Sequence, residues 1–81
     1  MTTTHVSPKG AIQAVVEGSG KSKRQVSTDS GYNKSMLGYY TSKGVIPNIG
    51  IMAKVASVCG YTLQLVKGSD TIIVDPEDDN G

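Results

Sequence analysis

The sequence predicts a mainly α domain of four helices followed by a C-terminal β-hairpin. Three observations carry that prediction. Apolar residues recur at helical spacing in stretches that open on a capping residue and close on a glycine. One such glycine, Gly31, separates two short helical stretches between Ser22 and Tyr40. Beyond Gly60 the helical period gives way to short β-branched runs around Gly68-Ser69.

The first six residues, MTTTHV, hold few apolar anchors and are read as disordered. His5 lies there with no second ligand nearby, so it is not read as a metal or catalytic residue. Ser7 as N-cap with Pro8 at the first helical position starts helix one. Ile12, Val15 and Val16 form its apolar stripe, and Gly18 and Gly20 are expected to end it. The following Gly20-Lys21-Ser22 has the ending of a phosphate-binding loop. The first glycine of that motif would fall at Val15, and a helix precedes it where a strand is required. A helix–helix loop with Ser22 as the next cap is the better reading.

Helix two carries Val26 and Ser30 on one face and stops at Gly31. Glycine suits such a stop because it adopts the left-handed conformation of a sharp helix exit. Tyr32 fills the corner, and Asn33 is expected to cap helix three. Leu37 and Tyr40 then point inward. Lys34, Ser35, Gly38 and Tyr39 face out. Two helices arranged so that the second presents polar side chains form the layout of a DNA-reading helix-turn-helix. On that layout Lys21, Lys23 and Arg24, at the start of helix two, would grip phosphates. Lys34 and Ser35 would meet base edges or phosphates, and Tyr39 a thymine methyl or a phosphate. Asn33 and Lys43 would add phosphate contacts. Gly38 removes a side chain on the outward face and would let the groove come closer.

The loop from Thr41 to Asn48 is expected to plug Val45 and Ile46 into the core. Pro47 ends it and Asn48 caps helix four, Ile49 to Cys59, whose core positions are Ile49, Met52, Val55, Ala56 and Cys59. Cys59 is then a small buried apolar residue. Gly60 stops the helix. With Gly68 and Ser69 as the turn, Leu65 faces Ile72 and Leu63 faces Val74, which builds one apolar face. A lone hairpin is marginal, so Leu63, Leu65, Ile72 and Val74 are expected to form a homodimer interface. Residues 7–60 are read as the DNA-binding unit and 61–75 as the hairpin. Residues 76–81 are read as an acidic, disordered tail.

The stretch from Ser22 to Tyr61 resembles the helix-turn-helix of the lambda-repressor-like (Cro/C1, XRE) family of bacterial and phage regulators. The resemblance covers about half the chain. It rests on Ser27, Gly31, Tyr32, Asn33, Leu37 and Tyr40 in series, then Pro47 and the run MAKVASVCG from Met52 to Gly60. Lys23 stands where the family often has Gln. The resemblance implies a four-helix lambda-repressor-like fold. It further implies a dimeric repressor of a bacterial, phage or mobile-element promoter that binds double-stranded DNA at a palindromic operator.

Composition sets the bounds. Eighty-one residues make one small domain. Net charge is only +1, but all eight Lys and Arg lie between Lys9 and Lys67, and four of the seven acids lie in the last seven residues. Without those four the balance is eight basic to three acidic, a net of +5, which suits a polyanion. One cysteine excludes an internal disulfide or a Cys-rich metal site. No apolar run approaches the roughly 20 residues that span a bilayer, and no signal peptide is read at the N-terminus. A cytoplasmic, nucleoid-associated protein is expected, with no cofactor, no metal and no catalytic residues. Two alternatives stay open: an antitoxin that binds DNA and a toxin, and a protein-interaction module on the same fold.

Overall fold

A computed structural model describes residues 3–76 of the chain. The described residues form four helices and one antiparallel hairpin: α1 (Pro8–Ser19), α2 (Lys23–Asp29), α3 (Met36–Lys43), α4 (Ile49–Val58), β1 (Leu63–Lys67) and β2 (Asp70–Val74). The mainly helical architecture and its closing hairpin are those the sequence predicts. Residues 3–7 carry no regular structure. The expected acidic tail beyond Pro76 and the first two residues lie outside the described part. No described helix is long and apolar enough to cross a membrane.

Local chemistry sets most helix ends. The Ser7 Oγ accepts the Gly10 N–H at 3.0 Å, with Pro8 beginning α1. Ser22 does the same for Gln25 at 3.1 Å, and Asn48 for Ile51 at 2.9 Å. α2 and α4 close with one device. After α2 the Gly31 N–H donates to the Thr28 carbonyl and the Tyr32 N–H to the Ser27 carbonyl, both at 3.0 Å. After α4 the Gly60 N–H donates to Ser57 at 3.1 Å and the Tyr61 N–H to Ala56 at 2.8 Å. Each is a Schellman motif with a left-handed glycine (φ 86° and 84°) followed by a tyrosine.

α3 departs from expectation. It begins at Met36, and its flanking residue Ser35 makes no side-chain cap. Asn33, expected as the cap, instead accepts the Ser35 N–H on its Oδ1 at 2.8 Å, while its carbonyl accepts the Met36 N–H at 3.0 Å. Asn side chains favour such local turns two residues on. The N–H of Leu37 is met from outside the helix, by the Ser27 Oγ of α2 at 3.2 Å. Thr41, expected in the loop, is a buried residue of α3 whose hydroxyl donates back to the Leu37 carbonyl at 3.0 Å.

The core joins Ile12 and Val16 of α1, Val26 of α2, Leu37 of α3, and Val55 with the adjoining Cys59 at the end of α4. Val26, Leu37 and Val55 retain no exposed surface, and each such burial is worth about 1.5–3 kcal/mol. Three expectations fail around it. Val45 and Ile46 do not plug the core but are 44 % and 64 % exposed; the buried residue of that loop is Pro47. Ile49 is 56 % exposed although it lies one turn before the buried Ala53; it is the first residue of α4, at the end of the buried stripe. Gly18 does not end α1. It lies inside the helix, and the Tyr61 ring occupies the space a side chain there would take.

The hairpin register is the expected one, with Leu63 opposite Val74 and Leu65 opposite Ile72. Gly68 has a positive φ of 58° and Ser69 does not, the sign pattern of a type II′ turn. Leu63 and Val74 are half-buried, whereas Leu65 and Ile72 are 53 % and 61 % exposed. On the other face Val66 and Ile73 are also exposed.

Candidate nucleic-acid interface

α2 and α3 pack against each other and leave a shallow depression of about 620 Å³ between their outer faces. Lys23 and Arg24 of α2 line one side. Lys34 and Ser35 before α3, with Gly38 and Tyr39 within it, line the other. An adjoining hollow of about 340 Å³ is lined by Ser22, Arg24, Gln25, Thr28 and Lys34. Arg24 and Lys34 border both, so the two cations stand at the centre of the face.

Five of the eight residues expected to meet a polyanion are thus brought together: Lys23, Arg24, Lys34, Ser35 and Tyr39. None of the three cations makes an ion pair among the described residues. The Lys23 ammonium donates to the Thr41 Oγ1 at 3.2 Å, which holds it across the α2–α3 seam. Tyr39 is 53 % exposed and stands edge-on to Tyr40, ring centroids 5.7 Å apart, so the half-buried Tyr40 braces it.

The other three stand apart from the depression. The Lys21 ammonium contacts Asp29 at 3.0 Å, and the Gln25 Nε2 donates to the same carboxylate at 2.7 Å. Those two donors hold the Asp29 carboxyl below its usual value. Lys21 is thus engaged by Asp29 and does not line the depression. Asn33 is exposed at the turn, its Oδ1 engaged by Ser35. Lys43 is exposed in the last turn of α3, where a cation complements the helix dipole.

Sequence reasoning missed Gln25 and Thr28, which share the second hollow. Their spacing from Ser22, at three and six positions, was the available signal. Ser27 entered that reasoning only as the first residue of the family pattern and Thr41 only as a loop residue; both face inward and hold the two helices in place. Gly38 is the least explained residue of the site. Its φ is not positive, and beyond its chain neighbours and the α3 backbone no atom lies within 4 Å of where a Cβ would stand. Neither backbone strain nor packing requires glycine there, yet glycine inside a helix costs about 1 kcal/mol relative to alanine.

Cys59 offers no competing chemistry. Burial raises its thiol pKa, against smaller opposing effects of the Ser19 hydroxyl and Lys21, and keeps it protonated at neutral pH. No family model, curated protein or solved structure matches the chain.

Proposed function

We propose that this chain is a sequence-specific DNA-binding regulator of the lambda-repressor-like helix-turn-helix type, with α3 as its recognition helix. The observation that carries the reading is the grouping of Lys23, Arg24 and Lys34, unpaired among the described residues, around an outward face that also presents Ser35 and Tyr39. Lys23 and Arg24 would hold phosphates and set the register. Lys34, Ser35 and Tyr39 would read base edges in the major groove. The chemistry asked of the site is binding, not catalysis.

The hairpin supports a dimer. A two-stranded sheet is marginal alone, and four of its apolar side chains are more than half exposed. A two-fold pair through Leu63, Leu65, Ile72 and Val74 would place two α3 helices on half-sites about 34 Å apart, the spacing of a palindromic operator. Such a dimer would repress by occupying a promoter in the cytoplasm. The same exposed apolar residues favour a second reading, an antitoxin whose hairpin meets a toxin. Co-purification of the product of an adjacent gene separates the two.

The test is fluorescence anisotropy with the DNA upstream of the coding sequence and with a scrambled duplex, each at low and moderate salt. Tighter binding to the upstream duplex that persists at moderate salt is expected. Equal, steeply salt-dependent binding to both duplexes would mean a basic surface without readout. Binding to neither would sink the DNA reading.

A further inference from the structure

Gly38 lines the α2–α3 depression, and neither its φ nor contacts with other elements require glycine there. It sits within α3 between Leu37, which has no exposed surface, and Tyr39, which is 53 % exposed. Apart from its chain neighbours Leu37 and Tyr39 and the backbone of α3 itself, a methyl group at position 38 would meet no atom within 4 Å. Its backbone has an ordinary helical φ, so no turn or cap demands glycine. Glycine destabilises a helix relative to alanine, and the bare position leaves room for a group that comes to this face.

The surroundings define what that is. Lys23, Arg24 and Lys34 bring three cations to the lining of the depression, and Ser35, Gly38 and Tyr39 complete it without charge. Phosphates fit the cations, and an uncharged, protruding group fits the bare position at Gly38. In the major groove of duplex DNA that group is the 5-methyl of thymine, the one apolar projection on a base edge. Resting on the DNA-binding reading above, we infer that Gly38 is the seat for a thymine methyl, brought against the bare α3 backbone and the Tyr39 ring. A side chain at 38 would fill the seat and hold the base away.

A duplex recovered by the wild-type protein from a randomised pool tests this directly. It is synthesised once with thymine and once with deoxyuridine throughout, and each form is titrated with wild-type protein and with Gly38→Ala. Burial of one methyl in each half-site predicts that the wild-type dimer binds the thymine form about fifteenfold more tightly, about fourfold per half-site. Gly38→Ala is expected to bind the thymine form more weakly than wild type by at least that factor and to lose the thymine–uracil gap. Its melting temperature is expected to equal or exceed that of wild type, which excludes misfolding as the cause. Equal affinity of wild type for the two duplexes overturns the inference even if the variant fails to fold. So does undiminished binding by Gly38→Ala. If the pool yields no enriched duplex, the DNA-binding reading itself has failed and this seat fails with it.

Discussion

Ser27 has no exposed surface and its hydroxyl works twice, donating to the Lys23 carbonyl at 2.8 Å and accepting the Leu37 N–H at 3.2 Å. Ser27→Ala would leave that N–H buried without an acceptor, a cost of about 1–3 kcal/mol. The urea midpoint should fall accordingly; an unchanged midpoint would mean that α3 does not depend on α2 for its first turn. Asp29 gives a pH prediction. Hydrogen bonds from Lys21 and Gln25 lower its folded pKa, so the unfolded chain takes up this proton more readily. Its stabilising contribution is complete above the ordinary aspartate range and disappears as pH falls through the lowered value. Melting temperatures of Asp29→Asn should therefore decline less steeply than those of wild type on the acid side. On the outer face, Lys34→Ala should reduce the preference for operator over scrambled DNA. Lys23→Ala should weaken both about equally and reduce the salt slope by about one. Anisotropy titrations at several salt concentrations separate the two. Unchanged binding in both variants would place the interface elsewhere.

At the level of elements, glycine is where the sequence is most and least legible. Gly31, Gly60 and Gly68 read correctly as two helix exits and a turn, because each serves a local backbone geometry encoded within a few residues. Gly18 reads wrongly as a helix end because its reason lies far along the chain, in Tyr61. The exposed Val45, Ile46 and Ile49 fail for the same cause. Apolar character predicts burial only where another element arrives to cover it, and no local pattern announces that arrival. The site divides likewise. The exposed polar residues followed from helical spacing, while the Lys21–Asp29 pair and the Ser27 and Thr41 braces depend on side chains meeting across space. Gly18→Ala tests the packing reading. Helix propensity alone would favour alanine by about 1 kcal/mol, but the end of the half-exposed Tyr61 side chain must move aside. Gly18→Ala should therefore change the melting temperature less favourably than the same substitution does in a Tyr61→Ala background. Equal changes in the two backgrounds would show that Tyr61 is not the obstacle.

For the whole molecule the open question is assembly. Leu65 and Ile72, paired across the hairpin, are 53 % and 61 % exposed, and Val66 and Ile73 are exposed on the reverse face. Leu65→Asp should convert a dimer to a monomer in sedimentation equilibrium while leaving the helical circular dichroism intact. A dimer of unchanged affinity would move the contact away from this face, towards the exposed loop that carries Val45 and Ile46. This scale is the least legible in sequence. Hydrophobic period identifies which residues share a face of the hairpin, but not what that face meets.

The Schellman exit at Gly31 and the Ser27 hydroxyl have a consequence for how such a chain can change over generations. Together they fix the angle at which α3 leaves α2 from the buried side. Arg24, Lys34 and Tyr39 make no side-chain hydrogen bond or ion pair in the described structure that the angle depends on. Substitutions at these positions can therefore accumulate without unfolding the support beneath them. If the outer face binds DNA as proposed, a duplicated copy of the chain could drift towards a new target one outward residue at a time, keeping its scaffold while its vocabulary is rewritten.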